Sequence, residues 1–315
     1  MPSRVFFELA EFLLGLLFGS FLNVCIARLP HHRSVATPRS HCPNCLTPIR
    51  PYDNIPLLSW ILLRAHCRDC RQPIPWRYPA VEFATGLWFL FVGMRIADLH
   101  LFAFQNLGSF TTSQMVNGYL DLLGLAILGF LLIGLLVMDW QTQRLPDAFT
   151  LSGIALGLFL VCTQAIFLGP NEADITLSTH HQLRMSSPGS MAEQGNMFLT
   201  GPEHLIFGRL LAVAAVAALL LTIRTVYKAL RHRDGLGLGD VKMMAMIAAF
   251  LGFWPAILTL FLGTLLATLY ALPLVFRRKA NLLTKLPFGS FLGLAGLLSA
   301  LFGPPLITWY TNLLS

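Results

Sequence analysis

Three aspartates stand where long apolar runs meet polar segments: Asp139 in Met138-Asp139-Trp140, Asp147 in Leu145-Pro146-Asp147, and Asp240 closing Gly235-Leu-Gly-Leu-Gly-Asp240, just before another apolar run. Ionisable side chains at such depths are costly and tend to be functional. Two carboxylates held close together do not both ionise easily, so they share a proton. One can then activate a water while the other protonates a carbonyl oxygen. That is aspartyl-protease chemistry, with no covalent acyl intermediate. Gly237 and Gly239 suit it, because glycine permits close backbone approach or positive φ, leaving an extended peptide room beside Asp240. Asp147 has a simpler use as a helix N-cap. A lone boundary aspartate is more often a cap or a snorkelling charge, so the pairing carries the argument. No G-x-S-x-G, H-E-x-x-H or P-loop pattern occurs, and the glycine stretch lacks the strand–turn–helix setting of a dinucleotide fingerprint. The nine histidines, including His31-His32 and His180-His181, follow no ligand spacing.

Four of the six cysteines form a second constellation: Cys42-Pro-Asn-Cys45, then 21 residues, then Cys67-Arg-Asp-Cys70. Paired C-x-x-C knuckles can place four thiolates around one tetrahedral ion, with Zn–S near 2.3 Å. With all four positions filled by cysteine no site is open to substrate, so the expected Zn2+ is structural. The surrounding residues 28–79 are rich in Pro and Arg and poor in apolar side chains, which leaves a metal staple to hold them. Cys25 and Cys162 lie within apolar runs and read as packing residues.

The elements that must position these groups follow from composition. Hydrophobic residues make up 55% of the 315 and charged residues 12%, with a mean hydropathy of +0.66. A soluble domain carries about a quarter charged residues, so this chain has too little charge to cover a water-exposed surface. The runs Leu122–Met138, Phe149–Leu168, Leu205–Thr222, Pro255–Phe276 and Phe288–Leu306 are each near the roughly 20 residues that cross a bilayer as helix. Three weaker segments complete the set: Phe12–Ala27, broken by Ser20 and Asn23; Ala80–Met94, carrying Glu82; and Val241–Trp254, which as a helix reaches only about 21 Å and needs a water-filled or thinned end. The fold expected is therefore all-α and polytopic, with about eight transmembrane helices and a small zinc-stapled cytoplasmic domain between the first two. Basic residues sort accordingly. Arg28, Arg33, Arg39, Arg50, Arg64, Arg68, Arg71, Arg77, Arg144, Arg224, Lys228, Arg231, Arg233, Arg277, Arg278, Lys279 and Lys285 fall on one side, against Arg4 and Arg184 on the other. Both termini then face outward, and the aspartates and cysteines face the cytoplasm, a reducing compartment that favours metal over disulfides. The net charge of +7 is what topology requires and names no nucleic-acid partner. Glu8 and Glu11 before the first run, with no A-x-A site after it, argue against a cleaved signal peptide.

These residues also carry a resemblance. Gly19-Ser-Phe-Leu-Asn-Val-Cys-Ile-Ala-Arg-Leu-Pro30, the cysteine box with Asn54-Ile-Pro-Leu-Leu-Ser-Trp60 inside it, and Arg77-Tyr-Pro-Ala-Val-Glu82 after it resemble the opening half of the type IV prepilin peptidases, or leader peptidase/N-methyltransferases. Asp139 with Leu145-Pro146-Asp147 resembles their first aspartate motif, Gly237-Leu-Gly-Asp240 their G-x-G-D motif, and Leu286-Pro-Phe-Gly-Ser-Phe291 their closing motif. The resemblance spans about residues 12–300. It implies that Asp139 and Asp240 are the catalytic pair, with Asp147 outside the chemistry. It also implies cleavage of prepilins and pseudopilins after a glycine at the cytoplasmic side of the bacterial inner membrane. Methylation of the new N-terminus by S-adenosylmethionine rests on the resemblance alone, since no cofactor motif is visible. The intact cysteine box favours the bifunctional type over peptidase-only relatives.

The chain accordingly divides into a first helix (1–28), a four-cysteine zinc domain (29–79), helices two to four with the first aspartate (80–168), an outward-facing insertion (169–206), and helices five to eight with the G-x-G-D motif (207–315). The insertion is polar and longer than the family pattern, and reads as a flexible loop with room for a short interfacial helix. Two other functions would use the same features. A proton or cation transporter would use the carboxylates as a relay but does not need the zinc box. A zinc-dependent scaffold of a secretion machine would not need the aspartates.

Overall fold

In lipid every backbone N–H and C=O must be satisfied within the chain, so apolar runs of this length become helices. The computed structural model describes residues 2–105, 112–167, 202–232, 236–276 and 286–314, and among them are nine α-helices and no strand. In chain order they are α1 (Pro2–Arg28), α2 (Leu58–Leu62), α3 (Arg77–Gln105), α4 (Thr112–Thr142), α5 (Asp147–Phe167), α6 (Pro202–Arg231), α7 (Leu238–Leu251), α8 (Phe253–Phe276) and α9 (Phe288–Leu314). Six of these, α1, α3, α4, α5, α6 and α8, are long and apolar enough to cross a membrane. The chain is a multi-pass membrane protein. Helices α7 and α9 stand where the sequence reading puts two further crossings; α9 begins with an apolar stretch over Phe288–Gly303.

Several helices outrun their apolar windows. The stretch between the apolar runs Ala80–Met94 and Leu122–Met138 is helical to Gln105 and again from Thr112. Helix α1 starts ten residues before Phe12, and its polar first turns are tied down: Arg4 pairs with Glu8 at 2.9 Å and with Asp98 of α3 at 3.1 Å. Backbone bonding continues outward until side chains can meet water. Most of the 169–206 insertion, with the short helix expected in it, lies outside the described residues.

Two helices make the interior. Helix α4 packs against α1, α3, α5, α7 and α9; α7 packs against α4, α5, α6, α8 and α9. In α7, Met243, Met244, Met246, Ile247, Ala248 and Ala249 have no exposed surface, as do Leu128, Leu132, Leu135 and Met138 of α4. A helix apolar on all sides belongs inside a structure. This explains how 14 residues suffice for α7. Protein walls it in, and only its first turn, with Gly237 and Leu238, is exposed.

Close crossings depend on small residues. A Cβ on Gly15 would meet Phe89 Cβ at 2.6 Å, and one on Gly19 would meet Glu82 Cα at 2.6 Å. Gly157 lets α5 approach α7, where a Cβ would lie 3.0 Å from Ala249 Cβ. Gly293 brings α9 to α4, with Leu136 Cβ at 3.0 Å. Glu82, the charge that interrupts the second apolar run, anchors the extramembrane segment: its Oε2 accepts the Leu57 N–H at 2.8 Å. Asn23 adds a bond from its Nδ2 to the Tyr78 carbonyl at 3.0 Å.

Helix α7 turns into α8 at Gly252, whose φ of 87° and ψ of −173° fall where only glycine is comfortable. A Cβ there would also lie 2.8 Å from Arg209 Nη1. Gly252→Ala is expected to cost about 1–3 kcal/mol and to lower the melting temperature of the detergent-solubilised protein. Gly208→Ala, where a Cβ meets nothing within 4 Å, should be neutral or stabilising.

Candidate active site and metal centre

Asp139 lies in the last turn of α4 and is only 5% exposed. Its carboxylate meets the first turn of α9, where backbone N–H groups have no partner within their own helix. Oδ2 accepts the Ser290 N–H at 2.8 Å and lies 3.1 Å from Ser290 Oγ. The same hydroxyl lies 2.9 Å from the Leu136 carbonyl, so its single proton serves one acceptor at a time. Gly289 makes the approach possible, since a Cβ there would sit 3.0 Å from Asp139 Cγ. Sequence reasoning gave Ser290 no role. The available signal was Pro287-Phe-Gly-Ser290, a proline just ahead of a helix start followed by small residues.

Asp240 is equally withdrawn, at 9% exposure. The sequence reading puts it before the helix, whereas α7 begins at Leu238 and Asp240 belongs to its first turn. The reason is a half capping box. Gly237 is the N-cap, and Asp240, three residues on, reaches back so that Oδ2 accepts the Gly237 N–H at 3.2 Å. Gly237 has φ −72°, so positive φ is not what this glycine supplies. Gly239 supplies close approach instead: a Cβ there would lie 3.0 Å from Leu145 Cβ.

The segments that carry Asp139 and Asp240 meet at one side chain: a Cβ on Gly239, beside Asp240, and one on Gly289, which faces Asp139, would each lie 3.1 Å from Leu145 Cδ1. Asp147 behaves differently. It opens α5, is 61% exposed, and pairs with Lys242 of α7 at 2.6 Å. Of the three boundary aspartates, two are withdrawn from water on helix turns and the third forms an exposed ion pair. Beside them Trp140, Tyr270 and Phe291 form an aromatic group, with ring centroids 5.3 Å apart for Tyr270–Phe291 and 5.9 Å for Trp140–Tyr270.

The four cysteines also converge. The Sγ atoms of Cys42, Cys45, Cys67 and Cys70 all lie within 4.8 Å of one another, and Cys42–Cys70 are 3.7 Å apart. A Zn–S length near 2.3 Å gives a tetrahedron with edges of about 3.8 Å, so this set fits a zinc ion. The knuckles are built alike. Antiparallel bridges His41↔Pro48 and His66↔Pro73 close them, Cys42 N–H bonds to Thr47 O and Cys67 N–H to Gln72 O, and Leu46 and Arg71 each have φ 58°. The signal in the sequence is a short repeat, His41-Cys-x-x-Cys-x-x-Pro-Ile49 and His66-Cys-x-x-Cys-x-x-Pro-Ile74. The Gln72 N–H and the Asn44 side chain lower the Cys70 pKa to about 6, and the Thr47 hydroxyl and N–H lower that of Cys45. Both shifts favour the thiolate, the form a metal takes, whereas the Cys42 thiol beside them is raised to about 11. Between residues 29 and 76 only Pro30, Cys42 and Ser59 are buried, while Leu46, Ile61, Leu62 and Trp76 are exposed. No apolar core can hold this segment.

Two family models match the chain, the bacterial peptidase A24 N-terminal domain over residues 13–96 and the type IV leader peptidase family over 195–272. A prepilin leader peptidase/N-methyltransferase of Aeromonas hydrophila is 30% identical across 96% of this chain and 93% of its own. The chain belongs to the type IV leader peptidase family. A protein of the same name from Pseudomonas aeruginosa is 28% identical over the same shares, and one from Myxococcus xanthus is 39% identical over 154 residues, 49% of this chain and 40% of its own. No solved structure matches the chain. The first family match spans the cysteine knuckles and the second spans Asp240. Asp139 falls between them, within the reach of the full-length relatives.

Two measurements follow from the metal-centre geometry. Purified protein is expected to contain about one zinc per chain, lost in Cys67→Ser or Cys70→Ser, with residues 39–74 becoming sensitive to protease. Arg68 clamps Asp53 through Nε–Oδ2 at 2.8 Å and Nη2–Oδ1 at 2.6 Å, and this guanidinium holds the Asp53 carboxyl below its usual range. A depressed carboxyl stabilises above its unfolded pKa and loses that contribution as pH falls through the folded value. The pH-dependent part of the stability difference between wild type and Asp53→Asn should therefore be full at pH 7, begin to fall at about pH 4 and vanish only at lower pH, below the folded value.

Proposed function

We propose that this chain is a membrane-embedded aspartyl endopeptidase that removes the leader peptides of prepilins and pseudopilins, then N-methylates the new N-terminus. The observation that carries the reading is the pair Asp139 and Asp240, buried on two helix turns of a membrane protein whose segments meet at the same side chain, Leu145. The name shared by the full-length relatives gives prepilins as substrate and both activities.

In the proposed mechanism the two carboxylates share one proton. The ionised one takes a proton from a water as that water attacks the scissile carbonyl, and the protonated one donates to the carbonyl oxygen. Ser290 keeps the Asp139 carboxylate in one orientation, and Gly237 does the same for Asp240. Proton transfer by such groups accounts for rate factors of about 10²–10⁴. Gly237 and Gly239 line the approach as backbone, without side chains. Cys42, Cys45, Cys67 and Cys70 hold a structural zinc in a cytoplasmic domain over 29–79, which the Leu57–Glu82 bond fastens to the helices. Helices α7 and α9 complete eight crossings, with both termini outward in a bacterial inner membrane and the aspartates facing the cytoplasm. S-adenosylmethionine is the methyl donor that the resemblance implies. The polar cavity lined by Asn23, Arg77, Tyr78 and Gln141 holds about 30 Å³, room for a water and far too little for a nucleoside, so it does not fit that cofactor.

The test is cleavage of a model prepilin in liposomes by wild type, Asp139→Asn and Asp240→Asn, each shown to retain zinc and fold. Both variants are expected to lose at least about 100-fold in rate, and Ser290→Ala, which removes one of the two contacts to Oδ2, to lose less. Near wild-type cleavage by either Asn variant would sink the dyad and favour the relay or scaffold reading.

A further inference from the structure

The glycines beside the two aspartates face not an empty shelf but one side chain. A Cβ added to Gly239, the neighbour of Asp240, would find its three nearest atoms all in Leu145: Cβ at 3.0 Å, Cδ1 at 3.1 Å and Cγ at 3.4 Å. A Cβ added to Gly289, on the Asp139 side, would meet Asp139 Cγ at 3.0 Å and Leu145 Cδ1 at 3.1 Å. The same methyl group therefore borders both glycines and closes the gap between the segments that carry the acids.

Leu145 does not hang on a loose loop. Gln143, at φ 51°, ends α4 with its N–H on the Asp139 carbonyl at 2.9 Å. Arg144 Nη1 donates to the Pro30 carbonyl at 3.3 Å, tying the turn to the end of α1. Pro146 stiffens the next position, and its carbonyl accepts the N–H groups of Phe149 and Thr150 at 3.0 and 3.2 Å. Leu145 itself is half-buried, with one side on the core and the other accessible.

We infer that Leu145 is the specificity-determining residue that limits the side chain on the substrate residue supplying the scissile carbonyl. This rests on the aspartyl-peptidase reading above. A peptide whose carbonyl reaches both carboxylates must pass the surface made by Gly239, Gly289 and Leu145. The space that a Cβ on either glycine would take is filled by Leu145 and, at Gly289, by Asp139 as well, so the side chain that the peptide meets there is Leu145. A side chain on the residue at the cut competes with Leu145 for the same space, and the more atoms it has the further Leu145 must give. Shortening Leu145 opens that space, whereas a methyl group on Gly239 takes more of it.

The experiment uses full-length protein in detergent and model prepilins carrying Gly, Ala or Val at the residue that supplies the scissile carbonyl. It reads kcat/KM for wild type, Leu145→Ala, Gly239→Ala and the double variant, with zinc content and melting temperature checked for each. Wild type should cleave the Gly substrate and discriminate against Ala and Val. Leu145→Ala should raise the Ala-to-Gly ratio by about tenfold, the scale set by one or two methylenes in a tight pocket. Gly239→Ala should slow cleavage of the Gly substrate, and Leu145→Ala added to it should recover part of that loss, because both changes act on one space. If Leu145→Ala does not fold, Leu145→Val is read in the same way with a smaller shift in ratio. An unchanged ratio, or a double variant as slow as the two single losses multiplied, overturns the assignment of Leu145. Failure of wild type to cleave any substrate in the series would instead remove the peptidase reading itself, before any variant is compared.

Discussion

A carboxylate inside a membrane protein needs donors, and here N–H groups at helix starts provide them, that of Ser290 shared with the Pro287 carbonyl at 3.1 Å. Asp139 ends one helix and lies on the first turn of α9; Asp240 sits in the first turn of α7 and turns back onto its own N-cap. Helix N-termini carry partial positive charge and unbonded donors, so each acid is placed where burial costs least. Much else in the fold serves this arrangement. Helix α7 must begin beside the end of α4, α9 must present Ser290 there too, and Gly289 must lack a side chain for Asp139 to come close. The exposed Asp147–Lys242 pair joins the start of α5 to that same first turn of α7.

Enclosure follows from the same requirement. Helix α7 is too short to cross lipid comfortably, yet it carries an acid at one end and a glycine turn at the other. Surrounding it by α4, α5, α6, α8 and α9 removes the need to match the bilayer thickness. Its glycine and alanine contacts, such as Gly157 against Ala249, allow that wall to close. The geometry of the two acids is therefore held by packing along α7 and α4, not by loop residues. Among the described residues, a loop side chain that does intrude is Leu145.

The extramembrane segment obeys other physics. It has almost no buried apolar side chain, so four convergent sulfurs stand in for a core. Its knuckles are duplicates of one nine-residue pattern, each closing with a left-handed residue after the second cysteine. Its join to the membrane part runs through Glu82, a charge that as sequence only weakened an apolar run and as structure receives the Leu57 N–H.

How much was legible beforehand differs by residue. Asp139, Asp240 and the four cysteines could be picked out because such side chains are expensive at those places, and expense is visible in composition and spacing. The helical class was legible for the same reason, since lipid leaves long apolar runs no alternative. What the sequence could not carry is which ends meet. Ser290 lies 151 positions from Asp139, and nothing local to either residue ties them. Leu145 reads as an ordinary apolar residue before a proline, and its place between Gly239 and Gly289 exists only once α4, α7 and α9 are packed. The G-x-G stretch left close approach and positive φ both open; Gly237 has φ −72°, and it is Gly239 that serves close approach, to Leu145. Local chemistry writes itself into residue type, so sequence alone determined the membrane class and singled out the two acids and the four cysteines that the fold gathers. Side chains from distant segments meet only where helices cross, so packing alone decided which donors hold those acids and which methyl group stands between them.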